Sequence, residues 1–140
     1  MPIVYDQWIL RAQLRQARGD RFVFGDNVRR TGYGGQAAAM RGEPNAIGVA
    51  TKWAPSNAAS AFFDDEDAGA WRWVEADLAR IRAALDEGRV VHVPRDGLGT
   101  GLSRLPTLAP RIYRHLWETF DSWSSEACPW VPRPAPDGRL

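Results

Sequence analysis

The sequence is poor in the residues that build several common kinds of site. Cys128 is the only cysteine, which excludes a disulfide within the chain. The two histidines, His92 and His115, lack the paired spacing that a zinc site requires. We therefore expect no metal and no cofactor, and we interpret all three side chains as structural.

Long apolar runs are also missing. No stretch reaches the roughly 18 residues of a membrane helix, and no secretory signal is recognisable. The formal charge is +1, from 18 basic and 17 acidic side chains spread along the chain, so no global field attracts nucleic acid or a membrane. We expect a reduced, cytoplasmic protein that binds no membrane and holds any anion locally. Lys52 is the only lysine among the basic residues.

The length of 140 residues is that of one ordinary domain. We assign that domain to residues 1–127. The remaining segment, 128–140, contains four prolines and is predicted to be extended or disordered, with Trp130 able to fix part of it.

Short apolar runs alternate with helical patterns along the chain. The predicted buried strands are Arg21–Phe24, Ala46–Ala50 and Arg89–Val93. Apolar residues at helical spacing predict amphipathic helices within Val74–Leu85 and Ile112–Phe120. Residues 3–9 are compatible with a strand or with the lead into a helix, and a helical pattern starts at Leu10. This order implies crossover connections and predicts an α/β layered domain.

Two glycine-rich segments each follow a predicted strand and precede a predicted helix. "GDNVRRTGYGGQAAAM" (25–40) lets the backbone approach a ligand and leads into a helix N-terminus suited to phosphate. "DGLGTGLSRLP" (96–106) alternates glycines and adds the hydroxyls of Thr100 and Ser103. Ligands of open α/β sheets bind at the carboxyl ends of strands, so we predict one cleft between the two segments. Neither contains a Walker lysine or a clean dinucleotide fingerprint, which disfavours NTP hydrolysis and hydride transfer.

Three segments resemble the macro-domain family, whose members bind ADP-ribose. "NVRRTGYGGQA" (27–37) resembles the first ligand loop of that family. "GVATKWAPS" (48–56) is similar to a strand-end segment of the branch that removes ADP-ribose from DNA, and "GLGTGLSRLPTLAPRI" (97–112) to the pyrophosphate loop. The block "FGDN…GYGGQAAAMRGEPNA" is also similar to small phage and bacterial proteins. The resemblance implies a three-layer α/β/α fold, with a mixed sheet and helices on both faces.

The resemblance further implies a cleft for ADP-ribose or a related nucleotide, either free or attached to nucleic acid or protein. It places Asn27 near the distal ribose and the glycines around the pyrophosphate. Tyr33 and Trp53 are candidates for stacking on a base, with core burial as the alternative. The predicted ligand-binding residues are Asn27, Gly32, Tyr33, Gly34, Gly35, Gln36, Thr51, Trp53, Gly97, Leu98, Gly99, Thr100 and Gly101.

The catalytic groups of the family do not carry over. Gly34 stands where the DNA-directed branch has a lysine, and Gln36 where the protein-directed branch has an acidic residue. The remaining catalytic candidates are Asp26, Lys52 and Asp96, with turn capping as the alternative for the two aspartates. Whether the chain is an enzyme therefore stays open. It is a binding module, an ADP-ribosyl hydrolase, or a protein-interaction module whose glycines only form turns.

Several charged residues have structural interpretations as well. At most one of the adjacent Arg29 and Arg30 can point towards a phosphate. Arg41 and Glu43 are predicted to pair across a turn. The acidic run 64–67 is interpreted as a solvated loop that places negative charge at a helix N-terminus.

Overall fold

The computed structural model describes residues 2–135 and contains a four-stranded sheet. Its strands are β1 (Ile3–Asp6), β2 (Arg21–Asn27), β3 (Ala46–Lys52) and β4 (Val91–Pro94), in the order β1-β4-β2-β3. The predicted α/β class is confirmed. The segment at the start of the chain, which the sequence left open, is a strand.

All pairings in this sheet are parallel, so the expectation of a mixed sheet was wrong for residues 2–135. The physical reason is the connectivity, because a helix stands between each strand and the next and brings the chain back in the same direction. An isolated bridge between Lys52 and Phe62 is antiparallel.

The helices lie on both faces of the sheet, as expected. They are α1 (Arg11–Gln16), α2 (Ala37–Met40), α3 (Ala68–Asp86), α4 (Leu105–Leu108) and α5 (Pro110–Trp123), with a 3₁₀ turn at Ala59–Ala61. Strand β2 shows the division, since Val23 packs in the core under α3 and α5 while Phe22 and Phe24 pack against α1 and α2. This alternation follows from the two-residue period of a strand.

The acidic run 64–67 anchors the two long helices. Asp67 caps α3 by accepting the N–H groups of Gly69 and Ala70 at 2.9 and 3.3 Å. Asp65 accepts the N–H groups of Arg111 and Ile112, both at 3.0 Å, at the start of α5. Carboxylates at these positions satisfy N–H groups that have no partner within a helix.

The first part of the proline-rich tail packs on the domain. Trp130 is buried against Phe120 and Tyr113, and its indole N–H donates to the Pro94 carbonyl at 3.0 Å. Cys128 is buried beside it. Residues 136–140 of the predicted tail lie outside the described residues.

Because Cys128 is buried, the reactivity of its thiol shows whether this tail segment stays packed on the core. Its desolvation raises the thiol pKa to about 11, so little thiolate forms at pH 8. We expect iodoacetamide to alkylate the native protein at least roughly 100-fold more slowly than the urea-unfolded protein. Mass spectrometry over time measures both rates. Native alkylation as fast as that of the unfolded chain would show that the tail is not held on the core.

His92 has structural surroundings. His92 stacks on Phe22, with one ring nitrogen 2.8 Å from a carboxylate oxygen of Asp6 and the other 2.8 Å from one of Asp20.

Within residues 2–135, no cluster of three or more His, Cys, Asp or Glu side chains is placed to hold a metal ion. No helix in the same range is both long and apolar enough to cross a bilayer.

Candidate nucleotide-binding cavity

A cavity of about 580 Å³ opens at the carboxyl ends of three parallel strands. Asp26 and Asn27 end β2, Lys52 ends β3 and Pro94 ends β4, and all four line the cavity. Its volume lies within the usual range of small-molecule sites. The cavity therefore lies at the carboxyl ends of the strands, where a ligand of an open α/β sheet is expected to bind.

Two loops line this cavity. We call residues 31–36 the first glycine loop and residues 97–103 the second glycine loop. They touch, because a Cβ on Gly34 would lie only 2.8 Å from the Leu102 Cδ1 atom. Glycine at 34 thus allows the Leu102 side chain to contact the first glycine loop.

The second glycine loop requires glycine at its centre. Gly99 has a φ of +71°, which side chains rarely adopt. A Cβ there would also lie 2.9 Å from the Leu105 Cβ and 3.0 Å from the Thr51 Cβ. Glycine therefore lets the loop backbone pack tightly over the end of β3.

Both loops present backbone donors without internal acceptors. Among residues 2–135, no hydrogen bond uses the backbone N–H groups of residues 31–36 or of residues 98–103. Consecutive free N–H groups in a turn make a concave site for an anion. Two such runs in the lining of one cavity suit a ligand with more than one negative oxygen.

Lys52 is a positively charged residue in the lining of the cavity. The residue is 6% exposed, and its ammonium lies 4.5 Å from the centroid of the Phe62 ring. Burial lowers the pKa of Lys52 below its ordinary value. Within the described part of the chain the ammonium forms no ion pair. The charge is thus available to a ligand.

Asn27 also lines the cavity. Its Nδ2 group donates to the Thr31 carbonyl at 2.7 Å, which fixes the amide. Its Oδ1 atom is buried and has no donor among residues 2–135. The predicted ribose contact would therefore require neighbouring atoms to move, so that a ligand hydroxyl could reach this acceptor.

Two arginines bind the carboxylate of Asp26, which the sequence predicted to be a turn cap or a catalytic base. Arg41 donates to its carboxylate at 2.5 Å, Arg30 lies 3.5 Å away, and the Asn27 N–H donates to it at 2.8 Å. Gly48 makes room for the carboxylate, since a Cβ there would overlap it. The side chain is a buried structural anion.

The ion pairs continue from Asp26 to helix α3. Arg30 donates to both oxygens of the buried Asp77 at 2.7 and 2.8 Å, and Asp77 also accepts the Ala50 N–H at 2.8 Å. Arg30 is therefore engaged away from the cavity, and Arg29 is exposed outside its lining. Neither arginine lies where it could clamp a phosphate in the cavity.

The expected pair between Arg41 and Glu43 was wrong. Arg41 turns towards Asp26 and donates to the Gly32 carbonyl at 2.6 Å, which braces the first glycine loop. Glu43 lies among arginines of the α1 segment, and its hydrogen bond with Arg15 lowers its pKa. The two side chains leave the turn in different directions.

Residues 4–119 match the model of a family of unknown function, DUF7831. The chain belongs to this family. No curated protein and no solved structure matches it. The match spans both glycine loops and every strand end of the cavity, so the candidate site lies within the DUF7831 region.

Most of the residues predicted from the sequence of this DUF7831 chain line the cavity. They are Asp26, Asn27, Gly32, Tyr33, Gly34, Gly35, Gln36, Thr51, Lys52, Asp96, Gly97, Gly99, Thr100 and Gly101. Gln36 lines it without a free amide, because its side chain exchanges two hydrogen bonds with the Ile9 backbone at 2.8 and 2.9 Å. Asp96 is exposed at the edge.

Two predicted residues lie outside the cavity lining. Trp53 packs edge-on against Phe63, with ring centroids 5.2 Å apart, on the core side of β3. Leu98 is fully buried in the same core and anchors the second glycine loop. The predicted helix N-terminus also contributes little attraction for a phosphate, since α2 has only 4 residues and its dipole is small.

Sequence reasoning predicted Tyr33 but missed Trp8 and Leu102, which complete the apolar rim of the cavity. Trp8, Tyr33 and Leu102 line the mouth and are 55%, 68% and 68% exposed. Trp8 follows β1, so a firm strand assignment for residues 3–6 would have placed it at the carboxyl edge of the sheet. Exposed aromatic rings beside a polar cavity suit the face of a base.

Proposed function

We propose that this DUF7831 chain binds ADP-ribose or a related nucleotide in the cavity between its two glycine loops. The observation that carries the proposal is that two backbone runs whose N–H groups have no acceptor among residues 2–135 line the same cavity as Lys52, which has no anionic partner in that range. A pyrophosphate is the common biological group that matches two anion sites and one cation. The resemblance to macro domains supports the same ligand class.

The remaining parts of such a ligand match other features of the cavity. The Asn27 Oδ1 atom is a buried acceptor for a ribose hydroxyl. Tyr33 and Trp8 offer exposed rings to a base at the mouth. Arg41 adds little net charge, because Asp26 neutralises it at 2.5 Å. Lys52 therefore provides most of the attraction for the phosphates.

A pair of matched glycine variants tests the proposal by calorimetry. Gly35 and Gly88 have φ of +58° and +80° with open space where a Cβ would stand, and only Gly35 lines the cavity. Alanine at either site should cost about 1 kcal/mol of folding free energy. We expect ADP-ribose to bind the parent chain, and Gly35→Ala alone to weaken binding by about tenfold. AMP, which lacks a pyrophosphate, should bind more weakly than ADP-ribose.

The calorimetric outcomes separate the alternatives. No heat from ADP-ribose, NAD or AMP at millimolar concentration would reject the nucleotide proposal and leave the protein-interaction module. Equal weakening by Gly35→Ala and Gly88→Ala would show that binding depends on folding stability and does not use this loop.

A hydrolase is the second candidate, and Lys52 is the observation that favours it. A desolvated amine with a lowered pKa is suited to act as a base or a nucleophile. Asp26 is held by arginines and Asp96 is exposed, so neither aspartate is prepared for this work. Incubation with an ADP-ribosylated oligonucleotide and an ADP-ribosylated protein distinguishes the candidates. Release of ADP-ribose that Lys52→Arg abolishes would establish the enzyme, and intact substrates would leave the binding module.

A further inference from the structure

A second groove adjoins the cavity across the tip of the second glycine loop. It is lined by Thr100, Gly101, Arg104, Pro106, Thr107 and Pro132. Thr100 and Gly101 line the main cavity as well, so only the loop tip separates the two spaces. A ligand bound at the second glycine loop could therefore extend into this groove.

Arg104 gives the groove its charge. Across residues 2–135 its guanidinium forms no hydrogen bond or ion pair, and the residue is exposed. Its backbone is left-handed, with φ of 49° and ψ of 35°, a conformation that non-glycine residues rarely adopt. Strained residues of this kind concentrate at binding sites.

Backbone hydrogen bonds hold Arg104 at this position. Its N–H donates to the Gly101 carbonyl at 3.0 Å, and its carbonyl accepts the N–H groups of Thr107 and Leu108 at 3.2 and 2.9 Å. The root of the side chain is thus fixed beside the groove, and the guanidinium retains all its donors. Planar guanidinium groups bind phosphate oxygens in pairs.

We infer that the second groove binds a phosphate group that the ligand carries in addition to its pyrophosphate. The inference rests on the proposed function, because the main cavity must hold the nucleotide for the groove to receive the extra phosphate. That phosphate belongs either to a nucleic acid strand attached to the ADP-ribose or to a phosphorylated free nucleotide. Asp96 is exposed at the edge of the main cavity and does not line the groove.

Binding measurements with three probes test this inference. The probes are ADP-ribose, ADP-ribose 2′-phosphate and ADP-ribose linked to a single-stranded oligonucleotide. We expect at least one phosphorylated probe to bind about tenfold more tightly than ADP-ribose. Arg104→Gln should remove that advantage and leave the affinity for ADP-ribose within about twofold. The probe that gains affinity identifies the source of the phosphate.

Controls keep the test decisive. Arg72→Gln removes another exposed arginine, on α3 and outside the groove lining, that has no side-chain partner among residues 2–135, and it should leave all affinities unchanged. Arg104→Asn should behave like Arg104→Gln, since asparagine tolerates a left-handed backbone and preserves the fold. Binding of ADP-ribose with no gain for either phosphorylated probe, or a gain that survives both Arg104 variants, overturns the inference alone. Failure of all three probes overturns the proposed function as well.

Discussion

Lys52→Met is expected to stabilise the free protein and at the same time to remove most of its affinity for ADP-ribose. The parent chain keeps a buried ammonium without an anionic partner among residues 2–135, and methionine fills similar space without that desolvation cost. We expect a gain of about 1 kcal/mol in the free energy of unfolding at pH 7. Loss of a charge-assisted hydrogen bond to phosphate should weaken binding about 10- to 100-fold.

The pH dependence of the stability gain follows from the lowered pKa of Lys52. The folded state disfavours the charged amine of Lys52. The desolvation cost is therefore complete at pH values below the pKa of Lys52 in the folded protein. The unfolded chain binds more protons between the folded pKa and the ordinary value of 10.5, and stability therefore rises with pH in that window. The advantage of Lys52→Met should shrink as the pH approaches 10.5.

Urea unfolding at several pH values and calorimetry with ADP-ribose measure the two effects. Lys52→Arg is the matched control, because it keeps the charge and should retain more affinity than Lys52→Met. A methionine variant that is less stable than the parent chain and binds ADP-ribose equally well would show that Lys52 is a structural residue.

Asp77→Asn is expected to cause a large loss of stability. The carboxylate of Asp77 is buried, accepts two hydrogen bonds from Arg30 and also accepts the Ala50 N–H. Asparagine keeps the shape and removes the charge, which leaves the guanidinium of Arg30 undercompensated. Arg30 is partly exposed, so we expect the free energy of unfolding to fall by about 2 to 3 kcal/mol. This loss is at the lower end of the range for a buried ion pair that loses one partner.

The control for Asp77→Asn is Asp86→Asn, at the C-terminal end of the same helix. The Arg82–Asp86 pair is exposed, and removing it should cost less than about 0.5 kcal/mol. Chemical denaturation of both variants gives the comparison. Similar small losses would indicate that the ion-pair chain from Arg41 to Asp77 contributes little to the fold.

Local patterns in the sequence were sufficient to predict the main elements. The apolar runs that became β2, β3 and β4 and the stripes that became α3 and α5 carry their own periodicity. The position of the cavity followed from glycine loops at the ends of strands. The order of the strands could not be predicted from local patterns. Strand β4 lies between β1 and β2, and these contacts join residues that are far apart in the sequence.

The roles of individual side chains were harder to predict, since they depend on packing across the fold. The sequence made Asp26 a candidate turn cap or catalytic group, whereas the fold brings Arg41 and Arg30 to its carboxylate. Trp53 and Leu98 belong to segments that touch the cavity, but their side chains face the core. Asn27 lines the cavity because it ends β2, and that position could be predicted from the sequence.

An NMR titration of ¹⁵N-labelled protein with ADP-ribose examines the two glycine loops directly. We predict saturable shifts of the amide signals of residues 31–36 and 98–103 with a single Kd, because these free N–H groups would contact the phosphates. Amides in the middle of α3 should remain unchanged. The absence of saturable shifts in both loops at millimolar ADP-ribose would contradict binding of the nucleotide between them.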